Sequence, residues 1–151
     1  MIAIVDYGLG NLASIKNMFK RVGERDVVIS SDVSVIKNAD KVILPGVGAF
    51  DAGMSNLKKY GLIDVLNKKA LDEKVPFLGI CLGLQLMCAF SEEGQTKCLG
   101  IFNTEVRSFP KTDLVSHEVF CQSKSQYFKY KCIIDEIKFA SGKTPGSFFT
   151  D

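Results

Sequence analysis

Long apolar runs are missing from this chain of 151 residues. No stretch approaches the roughly 20 residues that cross a bilayer, so no membrane-spanning helix is expected. A strong charge of either sign is also missing. The 19 Lys and Arg against 17 Asp and Glu leave a formal charge of +2, and the lysines are scattered instead of forming a stripe. No nucleic-acid partner is implied. C-x-x-C spacing does not occur, and Cys81, Cys88, Cys98, Cys121 and Cys132 make an odd number, five. That disfavours a disulfide framework and a zinc site and points to a reducing, cytoplasmic setting, with no metal expected. Tryptophan is absent and histidine occurs once, so a step that needs an imidazole base has a single candidate, His117. Residues 1–5 are apolar but are stopped by Asp6 and lack a basic flank, so they read as a strand and not as a signal peptide. Repeats, low-complexity tracts and linker-like stretches are lacking too, and one domain over residues 1–151 is expected.

What remains is a composition with 46% hydrophobic and 24% charged residues, ordinary for a globular chain and sufficient for a core. Short apolar, β-branched runs at 2–6, 26–30, 41–45 and 76–81 alternate with helical patterns. This alternation predicts an α/β fold: a doubly wound, mostly parallel sheet with helices on both faces. Leu12, Ile15, Met18, Phe19 and Val22 fall at helical spacing, with Asn11 as cap and Gly23 as stop. A shorter helical turn is expected over 31–38, and one or two helices over 51–72 with a break near Gly61. A helix should follow Cys81 to about Phe90, then a polar loop over 91–97, then one or two strands in 99–109 with a turn near Asn103. Phe77, Phe90 and Phe102 read as core. Beyond Pro110 polar residues interleave with aromatics, and a further element is suggested only around 132–140.

The run 75–87, Val-Pro-Phe-Leu-Gly-Ile-Cys-Leu-Gly-Leu-Gln-Leu-Met, reads as a buried strand turning into a helix with Cys81 at the corner. Gly79 and Gly83 complete a G-x-C-x-G pattern, the thiol counterpart of the nucleophile elbow, where small flanking residues permit a tight turn and leave the side chain exposed. A thiol at a helix N-terminus is biased towards the reactive thiolate. The chemistry suggested is acyl transfer through a thioester. Gln85, one turn further on, should share the helix face near the corner and could bind a substrate amide or wall the pocket. The run 44–50, Leu-Pro-Gly-Val-Gly-Ala-Phe, is a strand followed by a glycine-rich turn at the same carboxyl edge of the sheet. The backbone N–H groups of Gly46, Val47 and Gly48, with that of Leu82, are candidates for an oxyanion hole.

Two other patterns compete for attention. Residues 6–13, Asp-Tyr-Gly-Leu-Gly-Asn-Leu-Ala, satisfy G-x-G-x-x-A between strand and helix, with Asp32 about twenty residues on, as a dinucleotide site would require. Asp32 lies past the expected tip of the second strand, however, and a dinucleotide would leave the Cys81 elbow unexplained. His117 is followed by Glu118, but neighbours in a strand point to opposite faces, so that carboxylate is poorly placed to orient the imidazole.

Taken in order, D-Y-G-x-G-N at 6–11, L-P-G-V-G-A-F at 44–50, G-I-C-L-G-x-Q-L-M at 79–87, and S-E-E-G followed by L-G-I-F at 91–94 and 99–102 resemble one family closely. It is the glutaminase subunit of imidazole glycerol phosphate synthase, a class I, triad-type glutamine amidotransferase of histidine biosynthesis. The resemblance covers residues 1–110 and implies a flavodoxin-like fold without a cofactor. It implies that Cys81 attacks the carboxamide carbon of glutamine, and that ammonia passes to a (β/α)8 cyclase subunit in a heterodimer. It further implies an oxyanion region at Gly48 and Leu82, with Val47 as its mobile peptide and Gln85 in the glutamine pocket. A related subunit feeds enzymes that aminate surface sugars, and nothing in these residues separates the two acceptors. The family's C-terminal F-H-P-E-type segment, carrying the catalytic His and Glu, is not found here. Residues 115–122 only echo a V-P-H-x-G-x-N-Q segment whose histidine is not catalytic. The expectation is a C-terminally incomplete domain with a divergent tail over 111–151, and either an impaired glutaminase or a subunit that docks without turnover.

Overall fold

A computed structural model describes residues 1–107 and two short strands at 121–123 and 126–128. The element order is β1 (Ile2–Val5), α1 (Leu12–Arg21), β2 (Val27–Ser30), α2 (Val33–Lys37), β3 (Lys41–Gly46), α3 (Phe50–Lys59) and α4 (Ile63–Asn67). A π-helical turn (Lys68–Asp72) follows, then β4 (Phe77–Cys81), α5 (Leu82–Met87), β5 (Phe90–Ser91), β6 (Glu105–Val106), β7 (Cys121–Ser123) and β8 (Gln126–Phe128). The first four strands lie in the order β2-β1-β3-β4, all parallel. The chain moves outward from β1 to β2 and then crosses to the other side of β1, which puts the topological switch point between β1 and β3. A second sheet, β5-β6-β7-β8, is parallel between β5 and β6 and antiparallel beyond.

Period-two alternation in β1 sorts its side chains onto two faces. Ile2 and Ile4 join Ile43 and Val27 under Phe19, Leu12 and Ile15 of α1. Ala3 and Val5 join Val42, Leu44 and Phe77 on the opposite face, with Ile36 of α2, Phe50, Met54 and Leu57 of α3, and Val65 and Leu66 of α4. The expected sheet with helices on both faces is therefore present. Strand edges fall within a residue of the apolar runs. Asn11 caps α1 by accepting from the Ser14 N–H at 3.3 Å. Asp32 caps α2, its carboxylate accepting from the Ser34 N–H at 2.7 Å. The break in 51–72 falls at Gly61, whose φ of +67° suits glycine.

Two expectations need correction. The helix after Cys81 ends at Met87, short of Phe90, because Cys88 turns extended at ψ 177°. Phe90 is no core residue: it lies in β5 and is 49% exposed. Of the one or two strands expected in 99–109, β6 at Glu105–Val106 is present, whereas residues 99–102 form none because their N–H groups serve the frayed end of α5. Leu99, Phe102 and Gly100 donate to the carbonyls of Leu86, Met87 and Cys88 at 2.8, 2.9 and 2.9 Å, satisfying acceptors that a helix terminus leaves open. On α1, Met18 and Val22 share the helical spacing but face outward, 57% and 68% exposed. The segment 132–140 lies outside the described residues.

Candidate active site

Cys81 closes β4 and opens α5, and its backbone takes φ +53°, ψ −117°, a conformation that L-residues rarely adopt. The glycines beside it explain how so sharp a corner is tolerated. A Cβ on Gly83 would stand 1.8 Å from the Leu44 carbonyl oxygen, and one on Gly79 would stand 2.7 Å from Cα of Leu84. Only hydrogen at these positions lets α5 fold back against β3 and β4. The thiol of Cys81 stays exposed, while Cys88 and Cys98 are buried. Burial pushes the Cys98 thiol above its ordinary range, which separates an inert structural sulfur from an accessible one.

The register between β3 and β4 places Gly46 directly beside Cys81. The next residues rise off the sheet edge: Val47 is 56% exposed and Gly48 has φ +106°, with no atom within 4 Å of a Cβ built there. Leu82 is the first residue of α5, so its N–H has no carbonyl one turn back to bond. Gln85 is buried on α5, one turn beyond Cys81. Cys81, the turn 46–48, Leu82 and Gln85 are thus brought to one corner of the sheet. That arrangement can present a thiol to a carbonyl carbon with backbone donors close by.

Two neighbours of this corner escaped the sequence reading. Tyr7 is fully buried, and its hydroxyl donates to the Pro45 carbonyl at 2.6 Å. Burial, and secondarily the charge of Cys81, pushes the Tyr7 phenol well above its ordinary range, so it remains a donor. Asp51, in the first turn of α3, accepts from the N–H groups of Gln95 at 3.1 Å and Thr96 at 3.0 Å. A side-chain bond from Thr96, then these backbone bonds, hold its carboxyl below the usual carboxylate range. The loop fits because Gly94 has no side chain: a Cβ there would lie 2.4 Å from Phe50 and 2.6 Å from Asp51 Oδ1. Nothing local foretells a bond across 44 residues, although Asp at a helix start is a cue for some N–H partner.

The glycine-rich turn at 8–10 also finds its place. Gly10 packs beside Pro45 and Gly46, with a built Cβ 3.5 and 3.6 Å from them. Asp32, the acid a dinucleotide would need, is engaged in capping α2. His117 lies outside the described residues. Among the described residues no helix is long and apolar enough to cross a membrane.

A doubly wound sheet with a strained cysteine elbow at its carboxyl edge defines an α/β domain of the elbow-cysteine class. More particularly, the chain belongs to the glutamine amidotransferase class-I family, whose pattern matches residues 3–137. It is 56% identical over 109 residues to imidazole glycerol phosphate synthase subunit HisH 2 of Methanococcus maripaludis, covering 72% of this chain and 54% of that protein. It is 46% identical over 113 residues to the protein of the same name from Pseudomonas aeruginosa, covering 75% and 55%. Against subunit HisH of Bacteroides thetaiotaomicron it is 34% identical over an alignment of 160 positions including gaps, covering 95% of this chain and 79% of that protein. The chain thus spans about half the length of the first two relatives. A crystal structure of a glutamine amidotransferase shares the fold, with a TM-score of 0.64 at 18% identity over 85% of this chain and 69% of that one.

Proposed function

We propose that this chain carries the thiol half of a glutaminase, with Cys81 as nucleophile and the N–H groups of Leu82 and the Gly46–Gly48 turn as oxyanion donors. The observation that carries the reading is the register pairing of Gly46 with the strained Cys81. In this reaction the Cys81 sulfur attacks the carboxamide carbon of glutamine, and charge on the carboxamide oxygen is met by backbone donors. The C–N bond then breaks, ammonia leaves with a proton, and water hydrolyses the glutamyl thioester. Gln85 lines the pocket for the substrate.

The names of the relatives, subunits of imidazole glycerol phosphate synthase, support an acceptor within that synthase; the family resemblance makes it a (β/α)8 cyclase subunit that consumes the ammonia, bound as a heterodimer, and we place the pair in the cytoplasm. The proton for ammonia must come from an acid. Loss of a base and its orienting carboxylate from such a unit costs on the order of several kcal/mol of transition-state stabilisation. Ammonia release from glutamine by the 151-residue chain, with a cyclase subunit and its ligand present and Cys81→Ala as blank, tests the reading. A Cys81-dependent rate supports it. Binding of the cyclase without a rate above the blank replaces it with a docking subunit that makes no ammonia.

A further inference from the structure

β3 outruns β1. Their last register pair is Ile4 with Ile43, while β3 continues beside β4 as far as Gly46 against Cys81. The Pro45 carbonyl therefore lies beyond the β1 ladder, and the Tyr7 hydroxyl supplies the donor that β1 no longer can, at 2.6 Å. The fit at this point is close, since a Cβ on residue 46 would stand 2.3 Å from Tyr7 Oη. A trans peptide is planar, so holding the Pro45 C=O towards Tyr7 turns the Gly46 N–H the opposite way and fixes the plane from which the turn departs. Past that point the turn is open, with Val47 exposed and free space at Gly48. Its geometry is set at its root.

We propose that Tyr7 is a positioning residue for the acyl-transfer site: its buried hydroxyl fixes the Pro45–Gly46 peptide and thereby aims the N–H donors of the 46–48 turn at the carbonyl oxygen of a Cys81 adduct. This rests on the oxyanion reading given above. Tyr7 touches no substrate, being buried on all sides, and acts through Pro45. The raised phenol pKa agrees with a hydroxyl that stays protonated and donating throughout the working pH range.

The test compares two reactions of Cys81 in the chain itself, with Cys81→Ala subtracted as blank. With p-nitrophenyl acetate the sulfur adds to an ester carbonyl, an oxyanion forms, the C–O bond breaks and p-nitrophenolate leaves without needing an acid. With iodoacetamide the sulfur displaces iodide and no oxyanion forms. Tyr7→Phe keeps the ring and removes the donor. It should slow acylation about tenfold, less than the roughly 10²–10³-fold cost of deleting an oxyanion donor itself, while alkylation stays within about twofold. Equal slowing of both reactions, or unchanged acylation, overturns the proposal. Hydrogen exchange of the segment 44–50 is read in parallel and does not depend on catalysis. Should wild-type Cys81 acylate no faster than a small thiol, the oxyanion reading falls. The anchoring role then stands if Tyr7→Phe speeds exchange in 44–50 but not in 27–30, and falls if it does not.

Discussion

At the amino end of the parallel sheet the Met1 ammonium lies between two carboxylates, with Asp26 at 2.8 Å and Asp40 on its other side, both more than 70% exposed. At the carboxyl end beside Cys81 the contacts are close-packed, with the Leu44 carbonyl 1.8 Å from the place of a Gly83 Cβ and the buried Tyr7 hydroxyl donating to Pro45. One end is held by solvated charge, which water and salt can replace. The other is held by exclusion of volume, which nothing replaces. The Cys81 corner is built at the second end, where a displacement of one atom would move α5 and with it the thiol.

Gly83→Ala should show the difference most sharply. Its methyl would meet carbonyl atoms of β3 that cannot rotate away, so α5 must lift from the sheet at a cost of about 3 kcal/mol or more, lowering Tm by on the order of 10 °C. Gly23→Ala is the matched control, because a Cβ there meets nothing within 4 Å and only its φ of +89° opposes it, a penalty of about 1–2 kcal/mol. Thermal melts showing equal losses would break the comparison, since contact and conformation would then cost the same.

Cys81 itself ranks next. A non-glycine residue at φ +53°, ψ −117° holds strain, and relieving it should make Cys81→Gly more stable than Cys81→Ala by about 1–2 kcal/mol in a denaturant titration. Both variants lose acylation. A more stable variant without the thiol would show that the corner keeps its geometry at the expense of stability. Equal midpoints would place the strain elsewhere.

How much of this was legible beforehand follows from the range of each interaction. β1 to β4 announce themselves because each carries a short, mostly apolar run, buried throughout in β1 and nearly so in β3, and that pattern is local. The G-x-C-x-G run carries its own steric logic and is equally readable. The end of α5 is not, because what stops it is a set of donors from 99–102, a dozen residues away. Phe90 misleads for the same reason: an aromatic suggests core, yet β5 pairs through its backbone and leaves the ring half in water. Tyr7 stands in a turn whose glycines draw the eye to phosphate binding, and its function emerges only from the offset between β1 and β3. His117 and the tail beyond Pro110 lie outside the described residues.

The smallest effects come from the charges, and they sharpen the comparison because Asp51 carries charge at the carboxyl end too. Its carboxyl is held low by Thr96 and Gln95, so its contribution is complete above the unfolded value near pH 4 and fades as the pH falls through the depressed folded one. Asp51→Ala should raise hydrogen exchange at Gln95 and Thr96 several-fold while leaving the sheet unchanged. At the amino end the Met1 ammonium depresses the carboxyl of Asp40, and the ammonium is itself raised first by Asp26 and then by Asp40. That contribution fades in acid and also above about pH 8, as the rising pH passes through the raised ammonium value. Asp40→Asn should therefore shift the unfolding midpoint only slightly, and the shift should vanish in about 1 M salt, where the screening length is about 3 Å. The Asp51 bonds should resist salt better, because their donors are backbone N–H groups held in place by the Gly94 fit. Equal salt sensitivity at both ends would mean that Asp51 acts as a surface charge and not as a strap.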